Sequence, residues 1–167
     1  MPVDQRSGTI LRGLHEAQVE YIVVGGMAAI LQATAILTED VDIVHRRTPE
    51  NVARLLQWLL AHGAYHRSDL ANRHLPPKED GLLGHGHLNL LTNLTELDVL
   101  CELGEGEGYE EIEADTVVLE PDGFPVRVLG LERLIAVKGR AGRPKDRAVM
   151  HVLIAALDEQ RKQAKRR

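Results

Sequence analysis

One cysteine, Cys101, stands among 167 residues, so no disulfide can form within the chain. The lone thiol and the lack of an apolar N-terminal segment lead to the expectation of a cytoplasmic protein in a reducing compartment, without a signal peptide. Aromatic residues make up only 3%. The core is therefore left to Leu, Val, Ile and Ala, and the ring platforms on which single-stranded nucleic acid stacks are missing. No apolar run approaches the roughly 20 residues that a membrane-spanning helix needs. Positive charge is not in surplus either. The formal net charge is -5, which argues against capture of a polyanion by the whole surface but leaves room for a local basic patch.

What is present is the composition of an ordinary globular chain, 44% hydrophobic and 27% charged. One domain is expected over 1–160, with a helical part at about 130–160 and a basic tail at 161–167. Helical spacing of Ile10, Leu11, Leu14 and Ala17 predicts a first helix over 8–20, capped by Ser7. A short buried strand follows at 21–24, then a helix at 27–32 directly after Gly25-Gly26, then a strand at 38–46. Thr48-Pro49-Glu50 opens another helix that Gly63 ends. Residues 67–86 read as a loop, with a position over the site as one expectation. Hairpins are predicted for 87–91 with 96–101 and for 116–119 with 126–129. Cys101 is read as a buried strand residue.

Asp40 and Asp42 are one residue apart on a strand, so their side chains emerge on one face. Neighbouring carboxylates repel unless a proton or cation lies between them. Mg2+ is the natural cation, because it takes oxygen ligands and keeps positions for water and phosphate. Gly25-Gly26, between a strand and a helix, lets a phosphate come close to the backbone. Asp98 is the expected third acid. It points away from Leu97 and Val99, and an Asp among apolar residues needs a partner that a metal would supply. Three such acids suit two-metal phosphoryl or nucleotidyl transfer. Each motif alone is weak; the strand, Gly-Gly turn, helix, acidic strand and later strand Asp together are specific.

A second feature is local. Arg133, Lys138, Arg140, Arg143, Lys145 and Arg147 cluster against only Glu132 and Asp146. Phosphate binding is one reading. A solvated helix-turn-helix surface, with Asp146 capping the last helix, is the other. His85-x-His87 and the i, i+4 pair His62 and His66 have metal-ligand spacing, but no third ligand matches, and ordinary surface histidines are expected. Arg73, His74 and Lys78 are expected at the surface as well.

Gly25-Gly26, then Thr38-Glu39-Asp40-Val41-Asp42, then Asp98 resemble the hallmark of the DNA polymerase β-like nucleotidyltransferase superfamily. The stretch from Leu131 to Asp146, with Lys138 and Lys145-Asp146, looks like that of small bacterial AbiEii-type nucleotidyltransferases, a group that includes toxins of toxin–antitoxin systems. The resemblance covers 8–157. It implies an α/β (α+β) nucleotidyltransferase fold, a short mixed β-sheet flanked by helices with a helical C-terminal segment. It implies Asp40, Asp42 and Asp98 as ligands of two Mg2+ ions, with Mn2+ as an alternative. Gly25, Gly26 and Thr38 would meet the triphosphate. Lys138, with Arg143 and Lys145, would contact phosphate, and Asp146 would orient Lys138. The implied reaction moves a nucleoside monophosphate from an NTP to a hydroxyl of a tRNA 3′ end or a protein side chain. Asp98 would help to activate that acceptor, and a cognate toxin or antitoxin would be the partner, with no membrane involved. One position departs from the pattern: relatives often carry Arg where this chain has Ile36, which removes a phosphate contact. Two other expectations stay open, a catalytically degenerate nucleotide- or partner-binding protein and a small-molecule nucleotidyltransferase.

Overall fold

The computed structural model describes residues 4–32, 38, 40–104 and 106–167; Ile36 lies outside them. Helix α1 (Gln5–Glu16) is capped by Asp4, whose carboxylate accepts from the N–H groups of Arg6 and Ser7. Ser7, expected as the cap, is instead a buried helical residue. Both residue types cap well. The choice falls on Asp4 because the apolar stripe Ile10, Leu11, Leu14 continues back to position 7, which must therefore be inside the helix.

Strand β1 (Tyr21–Val24) is buried along its whole length and leads straight into α2 (Gly25–Leu31), two residues earlier than the spacing predicts. Strand β2 (Val41–His45) begins later than expected, leaving Asp40 exposed ahead of it and Asp42 within it. Helix α3 (Pro49–Ala61) obeys its local signals: the Thr48 side chain accepts from the Asn51 N–H, Pro49 is the first residue, and Gly63 leaves the helix at φ 62°. The stretch expected as a loop holds an element of its own after β3 (Tyr65–His66), the short helix α4 (Glu79–Leu83). Leu82 docks α4 by full burial, and its carbonyl accepts from His45 Nε2 at 2.7 Å.

Strands β4 (His87–Leu91) and β5 (Glu96–Leu100) form the first predicted hairpin. Helix α5 (Tyr109–Ile112) precedes the second, β6 (Thr116–Leu119) with β7 (Val126–Leu129). Two helices close the chain, α6 (Leu131–Ala141), which stops at Gly142 with φ 59°, and α7 (Pro144–Lys165). Among the described residues no helix is long and apolar enough to cross a membrane.

The seven strands form one mixed sheet in the order β3-β4-β5-β2-β1-β7-β6. β2 pairs with β5, and β1 with β7, in parallel; the other pairs are antiparallel. Val41, Ile43, Leu97 and Val99 are fully buried on one face. The pleat therefore sends Asp42 and Asp98 to the other face. Their register makes them direct neighbours, Asp42 opposite Asp98, with Val24 opposite Asp42 on the far side.

Candidate active site

A cavity of about 810 Å³ lies between this face of the sheet and helices α6 and α7. Its sheet wall carries Gly25, Gly26, Thr38, Asp40, Asp42 and Asp98. Its helical wall carries Lys138, Arg143, Lys145 and Asp146. Every site residue named from the sequence thus faces one space. The stretch 67–86, expected over the site, contributes nothing to the lining; Leu82 and α4 draw it down onto α3 and β2 instead.

Each glycine sits against a side chain of the site, Gly25 against Asp42 and Gly26 against Thr38. Gly25 has φ 64°, and a Cβ built on it would collide with the Asp42 carboxylate. A Cβ on Gly26 would meet Thr38 Cβ at 3.1 Å. Gly25→Ala is therefore expected to lose stability by at least the roughly 1–2 kcal/mol of a left-handed non-glycine residue, and to disturb Asp42. An unchanged melting temperature would show that the strand end can give way.

Asp42 carries the most perturbed carboxyl of the site. Burial, then the charges of Asp98 and Asp40, push it up to about 6, and Lys145 offsets part of this. Asp98 is held differently. Both of its oxygens accept from the Arg67 guanidinium, Oδ2 from Nη2 at 3.1 Å. Arg67 was not found from the sequence.

In chemistry the acids fit a hard divalent ion: they are oxygen donors, and a cation would relieve the repulsion that raises Asp42. As the side chains stand, no three His, Cys, Asp or Glu groups among the described residues come together closely enough to hold one. Asp98 is shared between Arg67 and Asp42, and Asp40 sits exposed ahead of β2. The residues that would hold Mg2+ are Asp40 and Asp42, with Asp98 beside them.

Across the cavity, Asp146 is fully buried. It accepts from Lys138 Nζ at 3.3 Å and from Arg143 Nε at 2.6 Å. Burial alone would raise its carboxyl, but these two cations outweigh it and the net shift is downward. Asp146 does not cap α7: the cap position is Arg143, and Asp146 lies in the first turn. It ties the end of α6 to the start of α7 and aims two cations along the cavity wall. Arg140 is engaged by Glu107, with both contacts at 2.6 Å.

No family model and no curated protein matches the sequence. Solved structures do. A lincosamide antibiotic adenylyltransferase, LnuA, bound to lincomycin, matches with a TM-score of 0.63 at 12% identity, over 92% of this chain and 98% of that one. The antibiotic-resistance factor ANT(2'')-Ia gives 0.61 at 15% identity, over 91% and 82%. A candidate nucleotidyltransferase from Thermotoga maritima gives 0.57 at 15% identity, over 99% and 97%. The chain has the nucleotidyltransferase fold.

In this nucleotidyltransferase fold part of the cavity wall is apolar, with Leu100, Leu103, Leu134, Val137 and Val149 among its residues. No sequence signal separates such residues from core, because the spacing of those on β5, α6 and α7 is that of any buried stripe, and Leu103 directly follows β5. His87 and Asn89 also line the cavity from β4. His85 and His87 do not converge as a metal pair: His85 Nδ1 meets the Glu102 carboxylate at 2.7 Å, while His87 Nε2 donates to the Glu102 carbonyl at 3.0 Å. His62 stacks on Trp58 and His74 on Tyr65, and Arg73 pairs with Asp69.

Proposed function

We propose that the protein transfers a nucleoside monophosphate from an NTP to an acceptor hydroxyl, with Mg2+ at Asp40 and Asp42. The observation that carries this reading is the pairing of two walls across one cavity: in-register Asp42 and Asp98 on the sheet, and Lys138, Arg143 and Lys145 on the helices. Bound Mg2+ would neutralise the triphosphate and favour departure of pyrophosphate. The Gly25-Gly26 turn brings the backbone to the cavity wall beside Asp42 and Thr38, where a phosphate would meet it. Lys138, already oriented by Asp146, offers a fixed positive charge where negative charge develops. Asp98 accepts the proton as the acceptor oxygen bonds to the α-phosphorus and the bond from that phosphorus to the β-phosphate oxygen breaks.

A small-molecule acceptor is favoured over a tRNA end or a protein side chain. The support is the apolar wall next to Asp98, which suits a compact organic molecule, and the likeness to an adenylyltransferase named for lincosamide antibiotics. The test uses each of the four α-labelled NTPs with Mg2+ and three acceptor pools: total RNA, soluble protein, and small molecules from a cell extract with an aminoglycoside and lincosamide panel added. Label is expected in the small-molecule pool. Label on RNA or protein would return the acceptor to the macromolecular class and support an AbiEii-type, toxin-like role with a cognate partner. NTP binding without label in any pool would identify a degenerate binding protein.

A further inference from the structure

We infer that the end of the cavity beyond Asp98 is an acceptor subsite for an uncharged hydroxyl compound and that Asn89 reads that compound, an inference that rests on the function proposed above and deepens it. One row of paired residues crosses the sheet: Val24 opposite Asp42, Asp42 opposite Asp98, and Asp98 opposite Asn89. Neighbouring strands lie about 4.8 Å apart, so Asn89 stands roughly 10 Å beyond Asp42. Gly25 and Gly26 follow Val24 and mark the opposite end of the row. In phosphoryl transfer the attacking and leaving oxygens lie roughly in line. With pyrophosphate leaving on the glycine side, the acceptor enters from the Asn89 side.

The side chains at that end decide what can enter. Asn89 and His87 on β4 pair with Asp98 and Leu100 on β5, and all four line the cavity, with Leu103 close after β5. Asn89 lies between the buried Leu88 and Leu90, and its main-chain carbonyl accepts from the Arg67 N–H at 3.0 Å. Among the described residues nothing bonds to its side-chain amide, which has both donors and an acceptor to offer. The charged groups around this end are already matched: Asp98 with Arg67, Arg140 with Glu107, and Glu102 with Arg47. Neither Glu102 nor Glu107 lines the cavity. An ammonium or carboxylate on the acceptor would enter without a counter-charge or would have to break one of these pairs, and either is costly. A hydroxyl compound with an apolar body instead meets Leu100 and Leu103 by burial and Asn89 by hydrogen bonds.

The test divides the small molecules of a cell extract, with the aminoglycoside and lincosamide panel added, by ion exchange at pH 7 into cationic, anionic and unretained pools. Each pool is offered to the protein with labelled NTP and Mg2+. Most of the label is expected in the unretained pool. Half of it or more in the two retained pools overturns the inference and leaves nucleotidyl transfer to a small molecule standing. Label in none of the three overturns the proposed small-molecule transfer, and this inference with it. Asn89→Leu keeps an apolar fit to the wall and removes the amide. It is expected to raise the KM for the labelled unretained acceptor about fivefold, the scale of one lost hydrogen bond, with the KM for NTP unchanged. An unchanged KM for the acceptor, or an equal rise in the KM for NTP, overturns the assignment of Asn89.

Discussion

Asp42→Asn is expected to abolish transfer and at the same time to raise the melting temperature at neutral pH. Asp42 is pushed up to about 6 in the fold, from 3.8 in the open chain. Between these values the folded protein keeps a proton that the unfolded chain has released, so stability falls as pH rises through the window. Above it the cost approaches about 3 kcal/mol for a shift of roughly two units. Asn keeps the shape and carries no charge, so it avoids that cost. The gain should be several degrees at pH 7.5 and small at pH 4, near the lower edge of the window, where little of the cost has accumulated. Mg2+ should reverse the comparison, raising the melting temperature of the wild type and not that of the variant. Thermal melts at the two pH values, with and without Mg2+, check this. A variant less stable than wild type at pH 7.5 without metal would contradict the repulsion described at the site.

Asp146→Ala is expected to act in the opposite sense. Asp146 is fully buried and shared between Lys138 and Arg143. Its removal leaves Lys138, whose side chain is 16% exposed, without a counter-charge. Breaking buried pairs costs about 3–5 kcal/mol. The low end applies here, because Arg143 is 57% exposed and water can take it up. The carboxyl is shifted downward, so its contribution is present above the open-chain value of 3.8 and is lost as pH falls through and below that value. Urea denaturation at pH 7 should show the full deficit, which shrinks progressively as pH falls below 3.8. Transfer should fall with stability, because Lys138 and Arg143 lose the group that aims them. Equal stability of variant and wild type at pH 7 would show that Asp146 is not a structural counter-ion. The two aspartates thus predict opposite pH trends from opposite walls of one cavity.

Local signals were legible where a short segment decides its own structure. Thr48-Pro49 set the start of α3, β-branched runs marked β1, β2 and the second hairpin, and two apolar runs about the polar turn at Asn93 marked the first. An Asp between buried Leu97 and Val99 announced a strand residue in need of a partner, and β5 does lie beside β2. Choices between equivalent neighbours were not legible: Asp4 and Ser7 both cap helices, and only the buried stripe distinguishes them. Contacts that depend on strand order were out of reach. Arg67 meets Asp98 only because β3, β4 and β5 are adjacent, and nothing near position 67 signals it. The pairing of Lys138 and Arg143 with Asp146 depends on the sharp turn at Gly142, and the apolar cavity wall looks like core in one dimension.

The most direct measurement is a crystal structure with Mn2+ and a non-hydrolysable NTP, read by anomalous diffraction. The account predicts a manganese peak against Asp40 and Asp42, and phosphates running from Gly25-Gly26 toward Lys138. Nucleotide bound outside this cavity, or no metal beside Asp42, would contradict it.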